Sequence, residues 1–208
     1  MKTYEQEASD VLYVLDEDFI QFYNISEFVS LIWVERYWEA GDFELEVVYD
    51  LDILDNVKVG HYIVLGGSSN IMVIESVSIT YEIDNRSNRY IVYKGRSMES
   101  IFDRRIMWGE WLYEDVEMQD IIEDLLKKCI IEPEDPNRKI DFFRFKNNPK
   151  IQEYILTLYG DGDVLYQIIQ AICQEKQIGM RSDLDVDNKI ITFSLYKLSS
   201  SKVIPFIL

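Results

Sequence analysis

A chain of 208 residues, 48% hydrophobic and 13% aromatic, has room for one large or two small domains and can bury roughly 70% of its unfolded surface without a disulfide or metal as a staple. Its longest apolar runs, such as Val11–Leu15 and Ile71–Ile74, are far too short to span a bilayer, and the acidic opening Met1–Glu7 lacks the apolar segment of a signal peptide, so neither membrane anchoring nor signal-peptide secretion is expected. A net charge of −17 leaves too few Lys and Arg to neutralise phosphates, which argues against direct DNA binding; the plain meaning of the surplus carboxylates is a solvated acidic surface, and the same surplus would repel a polyanion sliding past.

Residues 11–95 carry repeated strand signals with turns between them. Val11–Leu15 and Phe19–Tyr23 flank Asp16-Glu17-Asp18 as a hairpin with an acidic tip. Ser30–Tyr37, apolar on both faces through Leu31, Ile32, Trp33 and Val34, reads as an interior strand. After the turn at Ala40-Gly41-Asp42, Phe43–Val47 alternates strictly, with Phe43, Leu45 and Val47 inward and Glu44 and Glu46 in water. Asp50–Lys58 is a polar excursion. His61–Leu65 and Ile71–Ile83 then form a second hairpin around Gly66-Gly67-Ser68-Ser69, with Val77, Ile79, Tyr81 and Ile83 on one face. Strands at this spacing, almost free of proline, suggest a small antiparallel barrel or sandwich.

The period changes near residue 95. Tyr90-Ile91-Val92-Tyr93 is a strand ended by Gly95, and Ser97 opens a short helical turn whose Met98, Ile101 and Phe102 recur at i, i+3 and i+4. Two adjacent cations follow, Arg104 and Arg105, then Trp108 and Trp111. The guanidinium groups either close the helical turn at its carbonyl end or, beside two tryptophans in so acidic a chain, form an interface hot spot.

Asp115–Ile130 has the clearest helical pattern: Met118, Ile121, Ile122, Leu125, Leu126 and Cys129 make one stripe, with acids at the start and Lys127 and Lys128 at the end. Pro133, Pro136 and Pro149 punctuate a charged loop that holds a short strand at Ile140–Phe145. Tyr154–Tyr159 is extended, Gly160-Asp161-Gly162 turns, and Asp163 caps a helix lined by Val164, Leu165, Ile168, Ile169, Ile172 and Cys173. Ile178–Leu184 and Lys189–Lys197 pair around Asp185–Asn188, and the tail Val203–Leu208 is an apolar end that looks cut or built to add a strand to something else.

Candidate chemistry is thin. Asp183–Asn188 resembles half a calcium loop, but Asn188 stands where Gly is needed and Ser194 where a bidentate Glu belongs. Cys129 and Cys173 fall on apolar helix faces and read as buried hydrophobes, and His61 as the lone histidine excludes a Cys/His zinc cluster. His61 has no nucleophile elbow to serve. Gly160-Asp161-Gly162 presents carboxylates where a phosphate would sit. With 38 acids a carboxylate pair is inevitable and carries no signal for glycoside hydrolysis. No catalytic residue, cofactor or metal site is therefore expected.

Ala40-Gly41-Asp42-Phe43-Glu44-Leu45 after a Trp-containing strand, then Tyr93–Ile106, and later Tyr159–Leu165 leading to Ile178–Arg181 and Ile190–Tyr196, resemble the hub proteins at the tail tip or baseplate of tailed bacteriophages, including the N-terminal region of tail-associated lysins. The resemblance implies an α+β chain: a tail-tube-like antiparallel β-barrel over 1–110, a small α/β insertion domain over 111–200, and the start of a truncated or missing second barrel at 201–208. It implies a homotrimer beneath the tail tube, contacting the distal tail protein, tube, and fibre or spike, through which DNA passes without specific binding. It places the chain in the virion tail, and in the host cytoplasm during assembly. Arg104, Arg105, Trp108 and Trp111 would be interface residues of this non-enzymatic subunit. The rivals are a tail-associated cell-wall-binding or peptidoglycan-degrading protein and, further off, a free acidic mimic of DNA.

Overall fold

The structure, a computed structural model, describes residues 11–81 and 88–197; the apolar tail at 203–208 and Ile83 lie outside them. Its first part is one antiparallel sheet. Its strands are β1 (Leu12–Leu15), β2 (Gln21–Ile25), β3 (Ser30–Val34), β4 (Asp42–Val48), β5 (Tyr62–Leu65), β6 (Ile71–Tyr81) and β7 (Arg89–Ser97), in the order β2-β1-β5-β6-β7-β4-β3. The strict alternation of β4 is realised, with Phe43, Leu45 and Val47 in the core. Opposite them on β7 are Gly95, Tyr93 and Ile91, the last two also in the core.

This sheet curls. Laid flat, seven strands would hold their edges about 29 Å apart, yet Ile25 at the end of β2 and Ser30 at the start of β3 are five residues apart, a reach of about 18 Å at most. Residues from all seven strands accordingly belong to or pack against a single core cluster. Strand pairing does not, however, close the expected barrel: β2 and β3 are the two edges, with no ladder between them. The side chains bordering that gap, Tyr23, Phe28, Leu31 and Trp33, pack against the core, so apolar contact takes the place of backbone pairing there. For the same reason β3, expected in the interior, is an edge strand whose Ile32 is exposed.

Other expectations shift locally. The polar excursion contains a short helix, α1 (Leu51–Asn56), capped by Asp50, which accepts the N–H of Asp52, with Ile53 and Leu54 under the sheet. Gly95 does not end its strand; a Cβ there would lie 1.8 Å from the Val73 carbonyl oxygen and 2.7 Å from the Phe43 ring, so glycine is what lets β6 and β7 approach. Val77, Ile79 and Tyr81, on one face as expected, are exposed, because the β5 side of β6 is covered only as far as Ile74 and, among the described residues, no strand pairs with that edge beyond it.

The second part begins with the expected helical turn, a 3-10 helix at Met98–Arg104 that buries Met98 and Phe102. Then come β8 (Ile106–Glu117), α2 (Met118–Leu126) running into a π-turn at Lys127–Ile131, β9 (Phe143–Lys146), β10 (Ile155–Val164), α3 (Leu165–Lys176), β11 (Gly179–Asp185) and β12 (Ile190–Tyr196). β8 runs through residues 110 and 111 and pairs with β10 alone. β12 pairs antiparallel with β11 and parallel with β9. The apolar stripe of α2 is buried as expected, but residues 115–117 are strand, and Glu117 rather than Asp115 caps the helix by accepting from Gln119 and Asp120 N–H. Likewise Gly160-Asp161-Gly162 is no turn: it lies within β10, and Asp163 accepts the Asp161 N–H while α3 starts at Leu165, with Val164 before it giving no side-chain cap. Cross-strand partners at both ends and in the middle of β8, with bulges between them, hold this segment extended, which local turn chemistry cannot foresee.

The second core joins α2, α3, the three-stranded sheet and the 3-10 helix, and it also takes in Leu15, Phe19, Val64 and Ile71 from the first sheet. Phe19, at the acidic hairpin tip with φ of 57°, is buried edge-on against Phe142, 4.7 Å between centroids. The tip is therefore a plug into the second part, not only a solvated turn.

Candidate interaction surface

The junction between the two parts is polar as well as apolar. Met180 N–H donates to the Tyr37 carbonyl (2.8 Å) and Leu184 N–H to that of Ser69 (2.9 Å); Ala40 N–H donates to the Tyr166 hydroxyl (2.8 Å) and Ser69 Oγ to Asp183 (2.6 Å). At its centre Glu99 is only 4% exposed. Ser97 Oγ accepts from Gly41 N–H at 2.8 Å and donates to the Glu99 carboxylate. Burial raises the Glu99 carboxyl above its ordinary value, opposed by its hydrogen bonds, of which that from Ser97 is the largest. A groove of about 250 Å³ opens here, lined by Glu35, Arg36, Glu39, Glu99, Arg181 and Ser182 among others. Its two arginines are already held, Arg36 by Asp42 and Arg181 by Asp183, so it offers no free cation to an anionic ligand. No group of three His, Cys, Asp or Glu side chains among the described residues is arranged to hold a metal.

The paired arginines leave the 3-10 helix in different directions. Arg104 is exposed and reaches Glu75 at 3.4 Å. Glu75 sits at a bulge of β6, where the register shifts between Ile74 and Ser76. It is gripped in fork fashion by Arg96, at 2.9 and 3.0 Å, which also holds Asp103 at 2.5 Å. The hydrogen bond from Arg96 is the main reason the Glu75 carboxyl titrates below its ordinary value. Arg105 turns inward: its guanidinium donates to the carbonyls of Arg104 (3.3 Å) and Arg138 (3.4 Å). Its buried Nε finds no partner, and desolvation lowers its pKa.

Trp108 and Trp111 fall on opposite faces of the β8–β10 ribbon. Trp111 faces in, packed against the second core and over Gly160, where a Cβ would lie 2.4 Å from its ring. Tyr113 lies 5.8 Å from it and donates to Asp124 at 2.6 Å. Trp108 faces out and is 69% exposed, with Leu112 and Ile155 (both 59%) and Tyr159 (82%). Leu112 and Tyr159 are direct cross-strand partners, as are Glu110 and Asp161. The outward face is thus an apolar patch crossed by two facing carboxylates. Leu112, Ile155 and Tyr159 escaped the sequence reading. Their signal is the i, i+2 recurrence of Trp108, Leu112 with Glu110 between them and of Ile155, Tyr159, Asp161, masked by reading 115–130 as helix and 160–162 as a turn.

Solved structures share this fold. The prophage tail protein gp18 from Listeria monocytogenes EGD-e superimposes with a TM-score of 0.53 at 11% identity, over 89% of this chain and 50% of that one. The tail protein from Neisseria meningitidis MC58 gives 0.52 at 12%, over 92% and 52%. The E. coli c3393 protein, a component of the type VI secretion system described as structurally similar to the T4 tail proteins gp27 and gp5, gives 0.50 at 11%, over 96% and 49%. The chain thus spans about half the length of the solved structures it matches. Among curated protein sequences none matches. A family model described as siphovirus ReqiPepy6 Gp37-like protein covers residues 11–205, and the chain belongs to that family.

Proposed function

We propose that the chain is a non-enzymatic subunit of a siphovirus tail, a hub at the tail tip or baseplate that joins the tail tube to the distal apparatus and lets DNA pass. The observation that carries this reading is a fold shared along 89% or more of the chain with tail proteins, in a member of a siphovirus family. In this reading the curled sheet is the tube-like hub domain, residues 1–110, and the part from 111 to 200 is an insertion that faces neighbours. The subunit assembles as a homotrimer and contacts the tube, the distal tail protein and a fibre or spike. Arg104 and Trp108 present the contact atoms, while Arg105 and Trp111 hold them in place from beneath. Some of the surplus carboxylates line the passage, where they repel DNA and keep it moving.

A reconstruction of the native particle tests this: density for three copies around the tail axis is expected, and a subunit absent from that axis would overturn the proposal. Peptidoglycan clearing by the purified protein, abolished by a single Asp or Glu substitution, would overturn its non-enzymatic part.

A further inference from the structure

The outward face of the β8–β10 ribbon is built at a cost. Glu110 and Asp161 are direct cross-strand partners, both exposed, and like charges placed so destabilise a two-stranded ribbon. Neither joins any ion pair among the described residues, and neither do Glu114, Asp115 or Asp163 around them. Beside this uncompensated charge stand Trp108, Leu112, Ile155 and Tyr159, each more than half exposed. In the described residues the ribbon has no third strand, so each of its strands keeps one edge without a strand partner. Exposed aromatic anchors, free backbone edges and unpaired carboxylates are the three elements of recognition of an extended segment.

From this arrangement, and resting on the reading of the chain as a tail subunit, we infer that the ribbon docks a strand or strand-like segment of another tail protein whose residues on one face, every second one along the chain, are by turns Lys or Arg and apolar. The cations sit between Glu110 and Asp161 and relieve their repulsion, while the apolar residues cover Leu112 and Tyr159. A second copy of this chain does not fit: at −17 it brings more carboxylates to the same place. An anionic cell-wall polymer is repelled for the same reason, and a neutral saccharide would stack on Trp108 and Tyr159 but leave the facing carboxylates as they are.

The test uses the full chain and a short synthetic peptide whose every second residue is by turns Lys and Val or Tyr, with Thr between them, its twin carrying Glu in place of Lys, and soluble peptidoglycan fragments, read by fluorescence anisotropy. The Lys peptide is expected to bind, more weakly as salt is raised, and the Glu peptide not to bind. Tyr159→Ser, at an exposed position that leaves the melting temperature unchanged, should weaken binding about tenfold. The double variant Glu110→Lys/Asp161→Lys should reverse the preference and take the Glu peptide. Equal binding of both peptides, no loss in Tyr159→Ser, or an unchanged preference in the charge-reversed variant overturns the inference. Saccharide binding that depends on Tyr159 would assign the face to the wall, and dimerisation in the ultracentrifuge lost in Tyr159→Ser would assign it to a second copy; either result also overturns it. The particle reconstruction fails or succeeds independently: a subunit on the tail axis whose ribbon binds no Lys peptide keeps the hub reading and loses this one.

Discussion

Phe102 lies at the centre of the second core, and its truncation measures how well that core is packed. The ring is fully buried and meets Phe193 and Phe143 edge-on, with centroids 5.0 and 5.7 Å apart. A phenylalanine buries roughly 150–250 Å², worth about 4–6 kcal/mol at ~25 cal/mol per Å². Alanine keeps the Cβ but leaves a void, and Phe→Ala in cores costs about 3–5 kcal/mol. Phe102→Ala should therefore lose about 4 kcal/mol, roughly a quarter of the upper range for a stable domain, ~15 kcal/mol. For a chain of this size that lowers the melting temperature by roughly 8–16 °C. Because the second core also contains Leu15, Phe19, Val64 and Ile71 of the first sheet, the loss should appear in the chemical unfolding of both parts. Urea unfolding followed by near-ultraviolet dichroism gives the number, and the double variant with Phe193→Ala should fall short of additivity by about 0.5–1.5 kcal/mol, the edge-to-face contribution. A loss below about 1 kcal/mol, or full additivity, would refute this packing.

Three further substitutions test other contacts. Glu75→Gln removes the fork that holds Arg96 and the contact to Arg104; the site is partly exposed, so about 1–2 kcal/mol is expected in urea titrations. Since the folded Glu75 carboxyl titrates below the ordinary carboxyl value, its stabilisation is present above that ordinary value and lost as pH falls through the folded one, a loss Glu75→Gln should not show in a series of melting temperatures. Glu99 has the opposite sign: its folded pKa is raised above 4.5, so the wild type loses stability as pH climbs from there to the folded value, and Glu99→Gln should flatten that slope in the same series. Gly160→Ala forces a Cβ into the Trp111 ring and the Asp163 carboxylate; roughly 1–3 kcal/mol is expected, with a shift in tryptophan emission relative to a Trp111→Phe background.

Sequence period gave the apolar stripes of β4, α2 and α3 correctly because a residue that faces a core on its own element does so whatever lies opposite. Seven strands, the hairpins around Asp16–Asp18 and Gly66–Ser69, and the short turn at Met98–Phe102 were legible for the same reason. What was not legible depends on partners distant in sequence. Gly160-Asp161-Gly162 has the composition of a turn and is strand because Trp111 and Glu110 pair with it from some fifty residues away. Phe19 reads as the start of a hairpin strand next to an acidic tip and is a residue of the second core, where Phe142 meets it. Of the four residues picked for the interface, the adjacency of Arg104 and Arg105 and the nearness of Trp108 and Trp111 could not show that one of each pair turns in and the other out. The fully exposed partners, Leu112 and Tyr159, are brought side by side only by the β8–β10 register.

The distribution of arginine explains why so acidic a chain can still offer a specific surface. Every described arginine is engaged within the chain: Arg36 with Asp42, Arg96 and Arg104 with Glu75, and Arg181 with Asp183; Arg105, Arg138 and Arg144 with backbone carbonyls; and Arg89 over the rings of Tyr49 and Tyr81. Guanidinium groups that close bulges and loop carbonyls in this way are already oriented by the fold, and withdrawing them to meet a phosphate would leave carboxylates and carbonyls unpaired. The chain therefore uses its described arginines to hold its own irregular segments, so a partner that brings cations to the ribbon, as proposed above, meets no free guanidinium competing for the facing carboxylates there.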